Sequence, residues 1–173
     1  MDATDLHVET ERLELRPLTL DDLDEMATPL GDAEALELWG DPLDRDGARD
    51  WIERNRARYE RDGFGRCAVL WRTTGELVGD CGLIRTLVED QPEVELGWIV
   101  RGSWWGRGIA TEAAAAWRDL AFDSLGLELI VSMVSEHNPA SRRVAEKLGM
   151  SVEREALRGG LPHLMYSLSR DER

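Results

Sequence analysis

The sequence predicts one α/β (α+β) domain, a mixed central sheet of about seven strands flanked by about four helices. Three observations carry that reading. At 93–100, Val94, Leu96, Trp98 and Val100 alternate with Glu93, Glu95, Gly97 and Ile99, the period of two that a strand imposes. Directly after it Gly106 and Gly108 bracket Arg107, and Ile109, Ala113, Ala116, Trp117, Leu120 and Ala121 then recur at helical spacing up to a stop at Gly126. A β-rich run at 127–134 follows, so strand, helix and strand suit a parallel crossover, whereas the runs at 64–72 and 77–85 are joined by Thr73-Thr74-Gly75-Glu76 as a hairpin.

From the N-terminus, residues 8–16 read as the first strand, with Leu13 and Leu15 on one face and Pro17 ending the run. Thr19 N-caps a helix whose early acids answer the positive helix end, and Pro29 to Gly31 breaks it. Residues 32–42 read as a short helix and a loop. A longer helix starts near Asp46, carries Trp51, Ile52 and Tyr59, and stops at Gly63. The hairpin follows, with 93–100 as the third member of its sheet, then the helix from Ile109 and the 127–134 strand. Asn138-Pro139 supplies an N-cap and a first-turn proline for a helix ending near Lys147, with Gly149 as its stop. Val144, Ala145 and Leu148 form its apolar face, which Ser141 shares by spacing. Strands at 150–157 and 163–169 close the chain around Arg158-Gly159-Gly160. No linker or repeat divides it, so 1–173 reads as a single domain, with residues 1–6 and 170–173 expected to fray.

Composition narrows the function. A formal net charge of −14 argues against nucleic acid or an anionic membrane surface as partner, because both attract Lys and Arg. No apolar stretch approaches the ~20 residues of a membrane span, and the acidic start Met1-Asp-Ala-Thr-Asp lacks a signal peptide's features, so the expected location is cytoplasmic. Cys67 and Cys81 lack metal-ligand spacing and read as core thiols. No metal site is visible.

The stretch at 105–111 is where chemistry is legible. Glycines at a turn that opens a helix free backbone N–H groups to point outward at the positive end of the helix, which makes a phosphate cradle. A dinucleotide fold also uses such a turn, but Thr111 occupies its last glycine position, and the one helix and three strands after it are too few for a doubly wound sheet. A Walker-type loop lacks its Gly-Lys-Ser/Thr.

The order of elements, together with Trp105-Gly-Arg-Gly108-Ile-Ala110, resembles the GNAT superfamily of acyl-CoA-dependent N-acyltransferases over nearly the whole chain. The first motif position departs from Gln or Arg, carrying Trp105. Thr10-Glu-Arg-Leu-x-Leu-Arg-Pro17, Glu95-Leu-Gly-Trp98, Thr111-Glu-Ala113, and Asn138-x-x-Ser141 leading to Glu146-Lys-Leu-Gly-Met150 are similar to the ribosomal-protein N-terminal acetyltransferase (RimJ/RimL) branch.

The resemblance implies that the 93–100 and 127–134 strands splay to form a slot for acetyl-CoA. Its pantetheine arm would lie along Trp98, Ile99 and Val100 and its pyrophosphate on Gly106, Arg107, Gly108, Ile109, Ala110 and Thr111, next to Trp105. Asn138 would contact the pantetheine arm and Arg143, with Arg142, the nucleotide end. Glu95 is the implied base for the acceptor amine. It sits on the strand face shared with Gly97, and its alternative role is a salt-bridged strand carboxylate. The superfamily's usual tyrosine acid is replaced by Ala145, leaving Ser141 as donor to the leaving sulfur; its alternative role is a helix residue bonding to the backbone. Asn138 alternatively serves only as an N-cap, and Glu112 reads as a first-turn acid. The acceptor read first is a protein N-terminal α-amine, with a small-molecule amine (amino acid, polyamine or aminoglycoside) as alternative and a non-catalytic acyl-CoA-binding module as the reading from another class. Trp39, Trp51 and Trp104 are candidate linings of an acceptor pocket. A homodimer is consistent with the resemblance, although no interface is legible.

Overall fold

The computed structural model describes residues 6–33 and 41–173. Their strands are β1 (Val8–Glu9), β2 (Leu13–Pro17), β3 (Arg66–Trp71), β4 (Glu76–Val88), β5 (Gln91–Val100), β6 (Leu129–Val134), β7 (Ser151–Arg158) and β8 (Leu161–Ser169). They form one eight-stranded sheet in the order β1-β2-β3-β4-β5-β6-β8-β7. Every neighbouring pair is antiparallel except β5 and β6, which run parallel and share one register pair, Glu95 with Val131. The mixed sheet expected from the crossover is therefore present, with its parallel joint at the crossover itself.

The helices are α1 (Leu23–Gly31), α2 (Arg45–Asp62), α3 (Ile109–Asp123) and α4 (Pro139–Lys147). Two apolar layers follow from strand alternation. Leu96 on β5 joins a core with Ile109, Ala113 and Trp117 of α3, whereas Ile99 on the other face packs with Leu23, Met26 and Leu30 of α1 and Ala48 and Ile52 of α2. α2 is strongly polar, and its buried Ala48, Ile52, Asn55 and Tyr59 form a narrow stripe at helical spacing. Asp44 caps it by accepting from the Gly47 N–H, and Gly63 ends it in the left-handed conformation.

Several expectations need correction. The run 8–16 is two strands rather than one, because the chain turns at Thr10, whose N–H donates to the Leu13 carbonyl, and β1 pairs back on β2 with Val8 opposite Leu15. α1 runs through Pro29 and ends at Gly31, inside the 29–31 break expected. Burial of Met26 and Leu30 against α2 outweighs the one helix hydrogen bond that proline removes near the helix end. The chain ends described are held rather than frayed. Leu6 is buried in the main core, and Arg170 donates to the Phe122 and Leu127 carbonyls. The short helix expected around 32–42, and Trp39 with it, lies largely outside the described residues.

The hairpin turns are made differently. β7 and β8 are joined through Gly159 and Gly160, both at positive φ (56° and 82°), the geometry of a tight two-residue turn. β4 and β5 turn through Glu89 and Asp90, also at positive φ, where side chains are strained. There Glu89 is tied down by the Leu157 N–H and the Arg154 guanidinium, which fastens this hairpin across β7.

Candidate active site

Beyond the Glu95–Val131 pair, β5 and β6 have no further paired residues, and the gap between them opens toward the N-termini of α3 and α4. A cleft of about 520 Å3 lies there, within the ~300–1,000 Å3 usual for small-ligand sites. Of the residues assigned to the cofactor from sequence, Trp98, Ile99, Val100, Trp105 to Thr111, Asn138 and Arg143 line it, and Arg142 does not. A narrow extension of about 20 Å3 runs between the strands, lined by Glu95, Trp98, Ser132, Ser135, Asn138 and Ser141. Trp98, Asn138 and Ser141 border both spaces.

The cradle has the backbone that a Gly-x-Gly turn requires. Gly106 (φ 73°) and Gly108 (φ 77°) are left-handed, and Gly108 is the N-cap of α3 with no side chain to cover the free N–H groups of the first turn. Arg107 folds its guanidinium over the Trp104 ring, 4.5 Å from the centroid, and reaches the Ser103 carbonyl. Trp105, at the position where the motif departs, donates its indole N–H to the Val100 carbonyl at 2.7 Å, so that carbonyl at the end of β5 is already engaged.

Glu112 has a larger role than a first-turn acid answering the helix dipole. It accepts from the Thr10 hydroxyl (2.6 Å), the Arg12 N–H (2.9 Å) and the Arg12 Nε (2.7 Å), and forms an ion pair with the same guanidinium. Burial pushes its pKa up, but the bonds from Thr10 and Arg12 outweigh burial and hold it below the ordinary glutamate range.

Glu95 lies on the strand face expected and is 2% exposed. Its carboxylate is paired with the Arg158 guanidinium at the end of β7, so the base candidate and its alternative, a salt-bridged carboxylate, coexist in one group. Ser141 does face the cleft, where its hydroxyl accepts a long contact of 3.4 Å from the Trp98 indole N–H. Asn138 caps α4 by accepting from the Ser141 N–H, which leaves its amide NH2 to face the cleft. Ser132 donates its hydroxyl to the Leu96 carbonyl at 2.6 Å, a side-chain tie across the splay.

Other assignments shift. Arg142 turns to the Tyr166 hydroxyl on β8 and does not line the cleft. Trp104 lines the cradle cleft and packs against Trp71, with ring centroids 5.2 Å apart and the planes tilted by 46°. Trp51 donates to Asp80, which is buried in an ion pair with Arg66 under the α2 layer. Lys147 and His137, absent from the sequence assignment, also line the cleft. Lys147 lies one helical turn beyond Arg143, so the i, i+4 spacing already carried that signal. Cys67 and Cys81 are buried opposite each other on β3 and β4, and burial pushes both thiols up, as inert core thiols require. Among the described residues no group of metal-ligating side chains gathers, and no helix is long and apolar enough to cross a membrane.

Comparison with known proteins converges on one family. The sequence profile of the acetyltransferase (GNAT) domain matches residues 12–151. The uncharacterized protein YkkB of Bacillus subtilis (strain 168) is 32% identical, covering 91% of this chain and 92% of that protein. An uncharacterized N-acetyltransferase, p20 of Bacillus licheniformis, is 29% identical, with 83% and 82% covered. The crystal structure of an acetyltransferase from Agrobacterium tumefaciens strain C58 superposes with a TM-score of 0.83 at 32% identity, covering 95% of this chain and 94% of that one. The chain belongs to the acetyltransferase (GNAT) domain family and is an acyltransferase that uses an acyl-CoA donor and an amine acceptor.

Proposed function

We propose that this protein is an acetyl-CoA-dependent N-acetyltransferase whose acceptor is a protein N-terminal α-amine, with Glu95 as base and Ser141 as hydrogen-bond donor to the departing sulfur. The observation that carries the reading is the meeting of two spaces. The cleft with the phosphate cradle and the narrow slot with Glu95 share Trp98, Asn138 and Ser141 as their common wall.

The chemistry of the cleft suits the phosphates of coenzyme A. The left-handed glycines present first-turn N–H groups of α3, and Arg107, Arg143 and Lys147 supply cations for phosphate oxygens in an otherwise acidic chain. The donor supplies the acetyl group as a thioester, and the remaining work falls to side chains of this protein. An incoming ammonium has no lone pair, so Glu95 accepts its proton at the slot. The Trp98 N–H occupies a lone pair of the Ser141 oxygen, which leaves the Ser141 O–H free to turn toward a developing thiolate. The amide of Asn138, which borders both spaces, would hold the arm between the two.

The α-amine assignment rests on the similarity to the ribosomal-protein branch and on the ordinary protonation of the candidate acceptors. An α-amino group, with an ordinary pKa of about 7.7–8.0, is roughly a tenth neutral at pH 7, whereas a lysine-type amine near 10.4 is neutral to less than about a thousandth. The α-amine asks least of Glu95.

The test is a thiol-release screen with acetyl-CoA against peptides bearing free or blocked N-termini, lysine-containing blocked peptides, polyamines and aminoglycosides. Turnover confined to free N-termini is the expected result. Turnover of blocked peptides or of amino sugars, with free N-termini inert, would overturn the acceptor assignment.

A further inference from the structure

The segment that interrupts the first strand, Thr10-Glu11-Arg12, lies far in sequence from the cradle and has no part in the chemistry described above. In space it is the back wall of the cradle. Thr10 and Arg12 deliver three hydrogen bonds to the Glu112 carboxylate in the first turn of α3. The same guanidinium then reaches past Glu112 and donates from Nη1 to the Arg107 carbonyl at 2.9 Å. It also lies over the Trp71 ring, 5.6 Å from the centroid, and Trp71 packs at a tilt against Trp104, whose ring carries Arg107 on it.

From these contacts we infer that Arg12 is a positioning residue for the pyrophosphate of the acyl donor. Two physical effects support the role. In a trans peptide the carbonyl of one residue and the N–H of the next point in opposite directions. Holding the Arg107 carbonyl toward Arg12 therefore turns the Gly108 N–H away from Arg12, at a residue that lines the cleft. The Gly108 carbonyl is meanwhile held by the Glu112 N–H at 3.0 Å, so the glycine is fixed on both sides despite its conformational freedom.

The second effect is charge. Glu112 stands in the first turn of α3, where the partial positive charge of the helix end would otherwise attract phosphate. Left alone, its carboxylate would repel the same phosphate. Arg12 neutralises it, and the half-exposed guanidinium does so with a planar fork that spans Glu112 and Arg107 together. Lysine has a point charge and cannot span both.

The inference rests on the proposed acyl-CoA cleft, and its test separates the two. Calorimetric titration with CoA is compared for the wild type, Arg12→Lys, Arg12→Met and the double variant Arg12→Met/Glu112→Gln, with inorganic pyrophosphate as competitor. Wild type binds CoA and pyrophosphate displaces it. Arg12→Met weakens CoA binding by about tenfold or more and removes the pyrophosphate competition. Arg12→Lys is intermediate, and the double variant recovers part of the loss because the unpaired carboxylate goes with its partner. In turnover, kcat/KM for acetyl-CoA falls in Arg12→Lys and Arg12→Met while kcat/KM for S-acetylpantetheine, which lacks the pyrophosphate, stays at the wild-type value. Equal losses with both donors, or CoA affinity within about twofold of wild type in both single variants, would overturn the role of Arg12. Absence of CoA binding by the wild type would instead overturn the reading of the cleft. If Arg12→Met is recovered unfolded, the Arg12→Lys comparison between the two donors decides alone.

Discussion

Replacing Glu95 by glutamine separates a catalytic carboxylate from a structural one by size of effect. The substitution keeps shape and removes charge. Glu95 is 2% exposed, but its partner Arg158 has a side chain 25% exposed, so the guanidinium can turn to water and still use the glutamine oxygen. The structural loss is therefore about 1 kcal/mol, not the ~3–5 kcal/mol of breaking a fully buried pair. In a chain of this length that lowers Tm by about 2–4 °C and leaves the protein folded at 25 °C. Loss of a general base is larger, ~10²–10⁴ in kcat or about 2.7–5.4 kcal/mol of barrier. The assay is initial-rate thiol release at saturating acetyl-CoA with a free N-terminal peptide, alongside calorimetry with CoA. Glu95→Gln should bind CoA normally and turn over at least about a hundredfold more slowly. Arg158→Met breaks the same ion pair from the other side and should lose far less. A kcat within about threefold of wild type for Glu95→Gln, or matching kinetic losses in the two variants, would show that Glu95 serves only the ion pair.

Other consequences are open to measurement. Ser141→Ala removes a single hydrogen bond to a developing charge, ~1.5–3 kcal/mol, and should lower the single-turnover acetyl-transfer rate by roughly 10–150-fold without altering the fold by circular dichroism. Asp80→Ala strands Arg66 in an environment where both side chains are essentially fully buried, at 1% and 0% exposure, and should destabilise by about 3–5 kcal/mol in urea denaturation, with Tm falling by about 6–20 °C. The lowered pKa of Glu112 fixes the sign of a pH effect. The unfolded chain binds this proton first, so the stabilisation is complete above the ordinary value of 4.5 and is lost as pH falls through the lower folded value. Glu112→Gln should therefore flatten the acid limb of stability against pH, measured by denaturant midpoints at stepped pH.

What was legible in the sequence was local. Alternation in 93–100 exposes the face of Glu95, and Gly106-Arg-Gly108 announces a left-handed turn before a helix, because few other residues accept those backbone angles. Asn138-Pro139 announces the cap that sets Ser141 toward the cleft. The long-range pairs left no such signal. Glu95 meets Arg158 and Glu112 meets Arg12 only because β7 and the turn after β1 arrive from distant parts of the chain, and a carboxylate in a strand or first turn looks the same with or without a partner. The passage of α1 through Pro29 before it ends at Gly31 has the same origin. The proline's local propensity is helix-breaking, and the burial that overrides it belongs to α2.

The sheet's parallel joint makes the molecule mechanically two sheets sharing one rung. Five strands on one side and three on the other are each laced by antiparallel ladders, but among the described residues only the Glu95–Val131 pair and the Ser132 hydroxyl to Leu96 carbonyl bond hold the register across the β5–β6 seam. Compliance concentrates where a ladder is thinnest. An extended ligand arm laid in the seam would act as the missing rungs, so binding should stiffen the joint, and slower amide exchange along the seam edges of β5 and β6 would register as splicing of the two halves. Seen this way, the weakest line in the protein is also the line along which a guest can make it whole.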